Sequence, residues 1–260
     1  SRSEFYTMKI TILGSGTSTG VPQIGCQCKV CTSADPRDQR LRASAMVEVD
    51  GVRILIDCGP DFREQMIRYD DFRPIDGVLL THEHYDHVGG VDDLRPYCAF
   101  GDITLYGDSL TLSDIRTRMP YCFRENLYPG VPRINLNEIT PHVPIYIKGI
   151  EVIPLQVMHG RLPILGYRIG RLAYITDLKT LPEEEWKYLQ NVDCLIVNAL
   201  RIQPHDTHQS LDDALQMAAR VGAKQTWFVH MSHQIGLHAE VEKVLPPVIH
   251  LAYDGLQIQV

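Results

Sequence analysis

Thr81-His82-Glu83-His84-Tyr85-Asp86-His87-Val88-Gly89-Gly90 follows the apolar run Val78-Leu79-Leu80 without a break. Four side chains able to hold a metal, His82, His84, Asp86 and His87, fall within six residues. His82 and His84 project the same way only from an extended chain, whereas Asp86 and His87 need a turn, so the stretch reads as a loop at a strand end. The helical zinc-protease pattern is excluded, because the position it would fill with a second histidine is Asp86. Three imidazoles and a carboxylate suit Zn, Mn or Fe. With 11 His in 260 residues, three of them in six positions beside an aspartate is not what chance placement gives.

Outward from that loop, short runs rich in Val, Ile and Leu and bounded by Gly, Pro or Asp predict strands over 9–13, 46–49, 53–56, 78–80, 103–106, 145–147, 151–157, 172–176, 194–197, 226–229 and 256–260. Helical periodicity predicts 62–69, 110–118, 182–190, 211–221 and 239–244. The clearest is 211–221, where Leu211, Leu215 and Ala218 recur behind Ser210 as the N-cap. Strands dominate the first half in hairpin-like pairs, as where 46–49 turns at Asp50-Gly51 into 53–56. Two packed mixed sheets with helices outside, an α/β (αββα) sandwich, is the simplest architecture. No low-complexity linker or fixed repeat divides the chain, so 8–260 is expected to be one domain. Residues 1–7, ahead of Met8, read as an added remnant.

The 25 Lys+Arg against 32 Asp+Glu leave a net charge of −7, which argues against a general polyphosphate-binding surface. No apolar run is long enough to cross a bilayer, and nothing resembles a secretory leader. Seven cysteines is an odd number, and three crowd into Cys26-Gln27-Cys28-Lys29-Val30-Cys31. That suits thiolates on a metal better than a disulfide framework, and the expected compartment is a reducing cytoplasm. Cys58, Cys98, Cys122 and Cys194 lack such spacing and read as core residues. Gly14-Ser15-Gly16-Thr17-Ser18-Thr19-Gly20 follows a strand, but Val21-Pro22 comes where a phosphate-binding helix would have to open. It reads as a tight turn.

His82-x-His84-x-Asp86-His87 resembles the signature of the metallo-β-lactamase fold superfamily. The resemblance implies that His82, His84 and a later histidine hold one metal, that Asp86, His87 and a late histidine hold a second, and that a later Asp bridges both. His159 (in Val157-Met158-His159-Gly160), Asp177 (in Ile175-Thr176-Asp177) and His230 (in Phe228-Val229-His230) match in order. Asp57 resembles the early Asp that supports the ligand loop from behind the metals. Cys26-x-Cys28-x-x-Cys31 supplies three of the four ligands of a closed zinc site, and His233, three residues after His230, supplies the fourth. This combination is similar to the PhnP-type phosphoribosyl cyclic phosphodiesterase branch, and the likeness runs from Gly14 to Asp254-Gly255.

The resemblance implies two active-site divalent ions, Zn or Mn, one structural Zn, and a metal-bridging hydroxide that attacks a small phosphodiester, cyclic or open, of a ribose or nucleotide. Asp86 is expected to be essential to catalysis, and His208, before helix 211–221, to be the proton donor, with His205 the competing candidate. Arg95, Arg161 and Arg201 lie near predicted site loops, while His142, His238 and His250 read as structural. Acyl hydrolysis of a lactone, thioester or lactam, tRNA 3′-end processing and metal binding without turnover are the alternatives. The expected partner is a small phosphodiester rather than a membrane or nucleic acid, and a homodimer is expected from the family.

Overall fold

The computed structural model describes residues 6–260, so most of the expected remnant, residues 1–5, lies outside the described residues. In the first sheet β1 (Met8–Gly14), β2 (Ser44–Val49), β3 (Val52–Ile56), β4 (Gly77–Leu79), β5 (Ile103–Gly107) and β6 (Ile134–Glu138) lie side by side in chain order. The second sheet runs, again in chain order, through β7 (Ile145–Ile147), β8 (Ile150–His159), β9 (Leu162–Ile169), β10 (Leu172–Ile175), β11 (Cys194–Asn198), β12 (Gln225–Val229) and β13 (Ile249–Leu251). Strand β14 (Gln257–Gln259) returns to the first sheet beside β1.

Each sheet is half antiparallel and half parallel: β3 to β6 run parallel, as do β10 to β13. The β2–β3 hairpin turns at Asp50 (φ 48°) and Gly51 (φ 80°), the left-handed pair that an Asp-Gly turn supplies. Ile10, Ile12, Ile54 and Ile56 of the first sheet meet Tyr167, Tyr174, Ile196 and Val229 of the second in one core, each with no solvent exposure. Burying such a side chain stabilises by roughly 1.5–3 kcal/mol.

The helices are α1 (Phe62–Tyr69), α2 (Tyr85–Val88), α3 (Ser109–Arg118), α4 (Leu211–Val221) and α5 (His238–Val244). Phe62 and Met66 of α1 cover the outer face of the first sheet against Leu55 and Val78. Ala214, Met217 and Ala218 of α4 cover the second against Leu195 and Phe228. The result is the expected α/β sandwich. Helix α4 begins at Ser210 with a reciprocal capping box to Asp213 and ends on Gly222 at φ 66°. Among the described residues no helix is long and apolar enough to cross a membrane.

Three strands are unmarked in the sequence. Strand β9 contains Pro163 and Gly166, β6 carries only two apolar residues, and β13 has three residues in all. Residues 182–190 form a 3₁₀ helix, Glu183–Leu189, rather than an α-helix. Its three-residue turn puts Trp186 and Leu189 on one side, toward the second sheet.

Candidate active site

Every expected site residue sits at or beyond the carboxyl end of a strand. Asp57 follows β3, the His82–His87 loop follows β4, His159 ends β8, Asp177 lies just past β10, His208 lies in the connection after β11, and His230 follows β12. Parallel strands align these ends along one edge of the sandwich, where such sheets place ligands. The histidine loop is not loop throughout: α2 winds Asp86 and His87 into one helical turn, while His84 stays extended at φ −60°, ψ 145°. Strand β8 runs two residues further than expected, so His159 is its last residue. The second sheet pins this loop from behind, with Leu165 N–H donating to Thr81 C=O at 3.0 Å.

Two groups of donors converge, His82, His84, His159 and Asp177 in one, and Asp86, His87, Asp177 and His230 in the other. Within each, the donor atoms lie within 4.8 Å of one another. Asp177 belongs to both. Its Oδ2 lies 3.3 Å from His82 Nε2 and 3.9 Å from His159 Nε2, while its Oδ1 lies 3.0 Å from His230 Nε2 and 3.2 Å from His87 Nε2. Asp86 Oδ2 closes the second group at 3.0 Å from His87 Nε2 and 3.2 Å from His230 Nε2. His84 is exposed and faces the group with Nδ1, 3.1 Å from His82 Nε2.

The supports behind these donors are as specific as the donors. Asp57, fully buried, accepts from Thr81 N–H at 2.8 Å and Thr81 O–H at 2.8 Å, and its Oδ2 lies 2.6 Å from His87 Nδ1. His87 is thereby fixed with Nε2 toward the centre. His159 Nδ1 donates to Thr207 C=O at 2.9 Å, which turns its Nε2 inward in the same way. The sequence marks neither threonine beyond its place beside a histidine. Asp57, Asp177 and His230 have φ of 61°, 58° and 57°, so three site residues adopt left-handed backbone just past strand ends. Asp and His tolerate this conformation better than most residues, and it turns each side chain back over the sheet edge.

Burial opposes charge on His230 and His87, but the carboxylates of Asp177 and Asp86 outweigh it, raising His230 to about 9 and His87 well above its ordinary value. Burial likewise opposes ionisation of Asp177 and Asp86, yet these imidazoles hold both well below the carboxylate range. Burial and the charge on His87 lower His82. Buried carboxylates that demand positive charge where five imidazoles converge are the donor chemistry of divalent cations.

His208 lies over both groups. Its ring is 4.7 Å from that of His159 and stacks on that of His230 at 5.1 Å, and its Nδ1 is buried with no partner among the described residues. Burial and the charge of His230 push its pKa down to about 3. His205 sits one ring further out, 5.2 Å from His208. Arg95 is tied to Asp92 and Gly130 C=O, Arg161 lies exposed in the β8–β9 turn, and Arg201 bonds to its own loop. His142 and His250 pair with Glu185 and Glu242, and His238 packs beside Arg40.

A second cluster lies nearby. Cys26, Cys28 and Cys31 meet His233, whose Nδ1 is 3.4 Å from Cys26 Sγ and 3.2 Å from Cys28 Sγ. A tetrahedral zinc would set such sulfur–nitrogen edges at roughly 3.6 Å, so the four donors fit it with little adjustment. The His233 contact lowers the Cys28 thiol to about 6, whereas burial raises Cys31 to about 11. The other four cysteines are buried and free.

Residues 52–231 match the family model described as a beta-lactamase superfamily domain. The chain is 46% identical over 252 residues to an octanoyltransferase of Porphyromonas gingivalis, covering 96% of this chain but 51% of that protein. It thus spans about half the length of that relative. It is also similar to a crystal structure of a diphosphatase from the PhnP family, at 40% identity and a TM-score of 0.90 over 97% of this chain and 98% of the other. Zinc-bound PqqB from Methylobacterium extorquens, 22% identical, shares the fold with a TM-score of 0.80, covering 97% of this chain and all of the other. The matched model spans most of the chain and the two sheets superpose on these folds, so the chain belongs to the beta-lactamase superfamily and carries its metallo-hydrolase fold.

Proposed function

We propose that this chain is a dinuclear metal-dependent hydrolase of small phosphoric esters, acting on a phosphodiester or diphosphate bond. The observation that carries the proposal is the Asp177 carboxylate, which presents one oxygen to each of two histidine groups. His82, His84 and His159 would hold one ion, Asp86, His87 and His230 the other, and Asp177 both. When bound, two divalent cations supply Lewis acidity toward the phosphoryl oxygens and acidify water toward neutral pH. Asp57 and Thr207 orient the imidazoles, so the donor set is held in place before ions arrive. His208, stacked on the ring of His230 and tilted against that of His159, would give a hydrogen bond or proton to the departing oxygen. Cys26, Cys28, Cys31 and His233 would hold a structural zinc that ties the loop after β1 to the segment after β12. The name and 40% identity of the PhnP-family diphosphatase support phosphoryl chemistry.

The test is steady-state hydrolysis of bis(p-nitrophenyl) phosphate by Mn- or Zn-loaded protein, beside Asp86→Ala. The proposal requires turnover by the parent and loss of at least about a hundredfold in the variant. One observation favours a second reading, namely the 46% identical relative named octanoyltransferase. An octanoyl thioester is therefore assayed in parallel, and cleavage of it alone would replace phosphoryl by acyl chemistry.

A further inference from the structure

We propose that the Thr81 hydroxyl is a positioning group for the ion of the first donor group, joining His82 to the buried Asp57 carboxylate, so that this one carboxylate orients a ligand of each ion. The proposal rests on the two-ion reading and concerns what sets the affinity of each ion separately.

Strand register brings the three side chains together. Ile56 of β3 lies beside Leu79 of the parallel β4, and Asp57 N–H donates to Leu79 C=O at 2.9 Å. Asp57 therefore leaves the first sheet next to the segment that leads through Thr81 into His82. Thr81 and Asp57 have no solvent exposure and His82 almost none, so their polar atoms must satisfy one another.

The partners fix the direction of each proton. Thr81 Oγ1 carries one hydrogen and lies 2.8 Å from Asp57 Oδ2 and 3.0 Å from His82 Nδ1. A carboxylate only accepts, so the hydroxyl donates to Asp57 and accepts from His82 Nδ1–H. His82 is thereby held as the Nδ1–H tautomer, and among the described residues no other group accepts from that nitrogen. Its Nε2 then turns a lone pair toward Asp177 Oδ2 at 3.3 Å and His84 Nδ1 at 3.1 Å, an arrangement that a cation among them stabilises. His87 reaches the same Asp57 oxygen directly, at 2.6 Å, and its 3.5 Å approach to Thr81 Oγ1 is too long to compete.

One carboxylate thus serves both donor groups, His87 of the second without an intermediary and His82 of the first through a hydroxyl. A chain running from imidazole N–H through hydroxyl to carboxylate polarises along its length, which makes His82 Nε2 a stronger donor to a cation. The remaining first-group histidines are held by other means. His159 Nδ1 donates to Thr207 C=O, and His84 turns Nδ1 itself toward the group. The Thr81 hydroxyl therefore acts on the first ion through His82 alone, whereas Asp57 acts on both ions.

The test reads each ion alone, by Mn titration followed through the paramagnetic resonance signal of free Mn, on full-length protein whose cysteine cluster is filled with zinc. Asp86→Ala leaves only the first donor group whole, and His84→Ala only the second. Thr81→Val, which keeps the shape and removes the hydroxyl, and Thr81→Ser, which keeps the hydroxyl, are placed in each background. In the Asp86→Ala background Thr81→Val should raise the Kd for Mn about 10–100-fold, the usual cost of losing the group that orients a ligand, and Thr81→Ser should stay within about threefold of the background. In the His84→Ala background Thr81→Val should change the Kd by less than about threefold, because His87 keeps its own bond to Asp57. An equal loss in both backgrounds, an unchanged Kd in the first, or a Thr81→Ser variant as weak as Thr81→Val would overturn the role of the hydroxyl while leaving the two ions in place. Failure of both backgrounds to bind Mn with Thr81 intact overturns the two-ion reading, and this proposal with it.

Discussion

Asp57 touches no substrate in this account, yet it holds three hydrogen bonds that fix the ligand loop, two to Thr81 and one to His87. Asp57→Ala leaves those partners without a buried acceptor, and metal affinity should fall about 10–100-fold in a competition titration against a chromophoric chelator. Unchanged affinity would show that His87 is oriented by something else. His208 is argued at the same scale. His208→Ala should cost about 10²–10⁴-fold in kcat with an alkyl leaving group and far less with p-nitrophenolate, which needs no proton to depart. Equal losses with both would make His208 a binding group rather than a donor. Asp57 and His208 were indicated by the family resemblance, whereas the loop from His82 to His87 was legible because its donor chemistry is dense: three imidazoles and a carboxylate in six positions have few other uses. Thr207 and the left-handed backbone at Asp57, Asp177 and His230 were not. A carbonyl acceptor and a positive φ are set by how loops close in space, and no glycine marks these three positions.

Loops at strand ends do the positioning, and two glycines show how closely they are stacked. A Cβ on Gly59 would come 2.2 Å from Asp86 C=O, and one on Gly90 would come 1.9 Å from Gly59 C=O. Backbone meets backbone there, so Gly59→Ala must displace the segment carrying Asp86. It should destabilise by roughly 2–4 kcal/mol in chemical denaturation and reduce the metal retained after dialysis. A variant with parental stability and metal content would show that the loops can part without harm. The cysteine loop is a separate element with its own prediction. Cys28→Ser should lower the metal content of zinc-saturated protein by one ion per chain and reduce Tm, while the ions among the histidines remain. Loss of all metal would mean that the two clusters are not independent. Elements with strong local signals could be read in advance, such as the Asp50-Gly51 hairpin and the Ser210-capped α4. Strand β9 could not, because Pro163 and Gly166 lie within it and its pairing with β8 and β10 overrides their local preference.

At the scale of the molecule, two mixed sheets share one apolar core and bring the carboxyl ends of their parallel strands to one edge. Residues from 57 to 230 meet there, which no short stretch of sequence could show; the order of the candidates along the chain, together with the family resemblance, brought them together before the fold did. The rigid sheets also explain how buried Asp86 and Asp177 can be held at hydrogen-bond distance from imidazoles without collapsing onto solvent. The central claim is that this edge holds a pair of ions joined through Asp177. Electron paramagnetic resonance tests it most directly, on protein whose cysteine cluster is first filled with zinc and which then receives two equivalents of Mn. The account predicts the spectrum of an exchange-coupled Mn pair in the parent and its collapse to isolated ions in Asp177→Asn; isolated ions alone in the parent would contradict it.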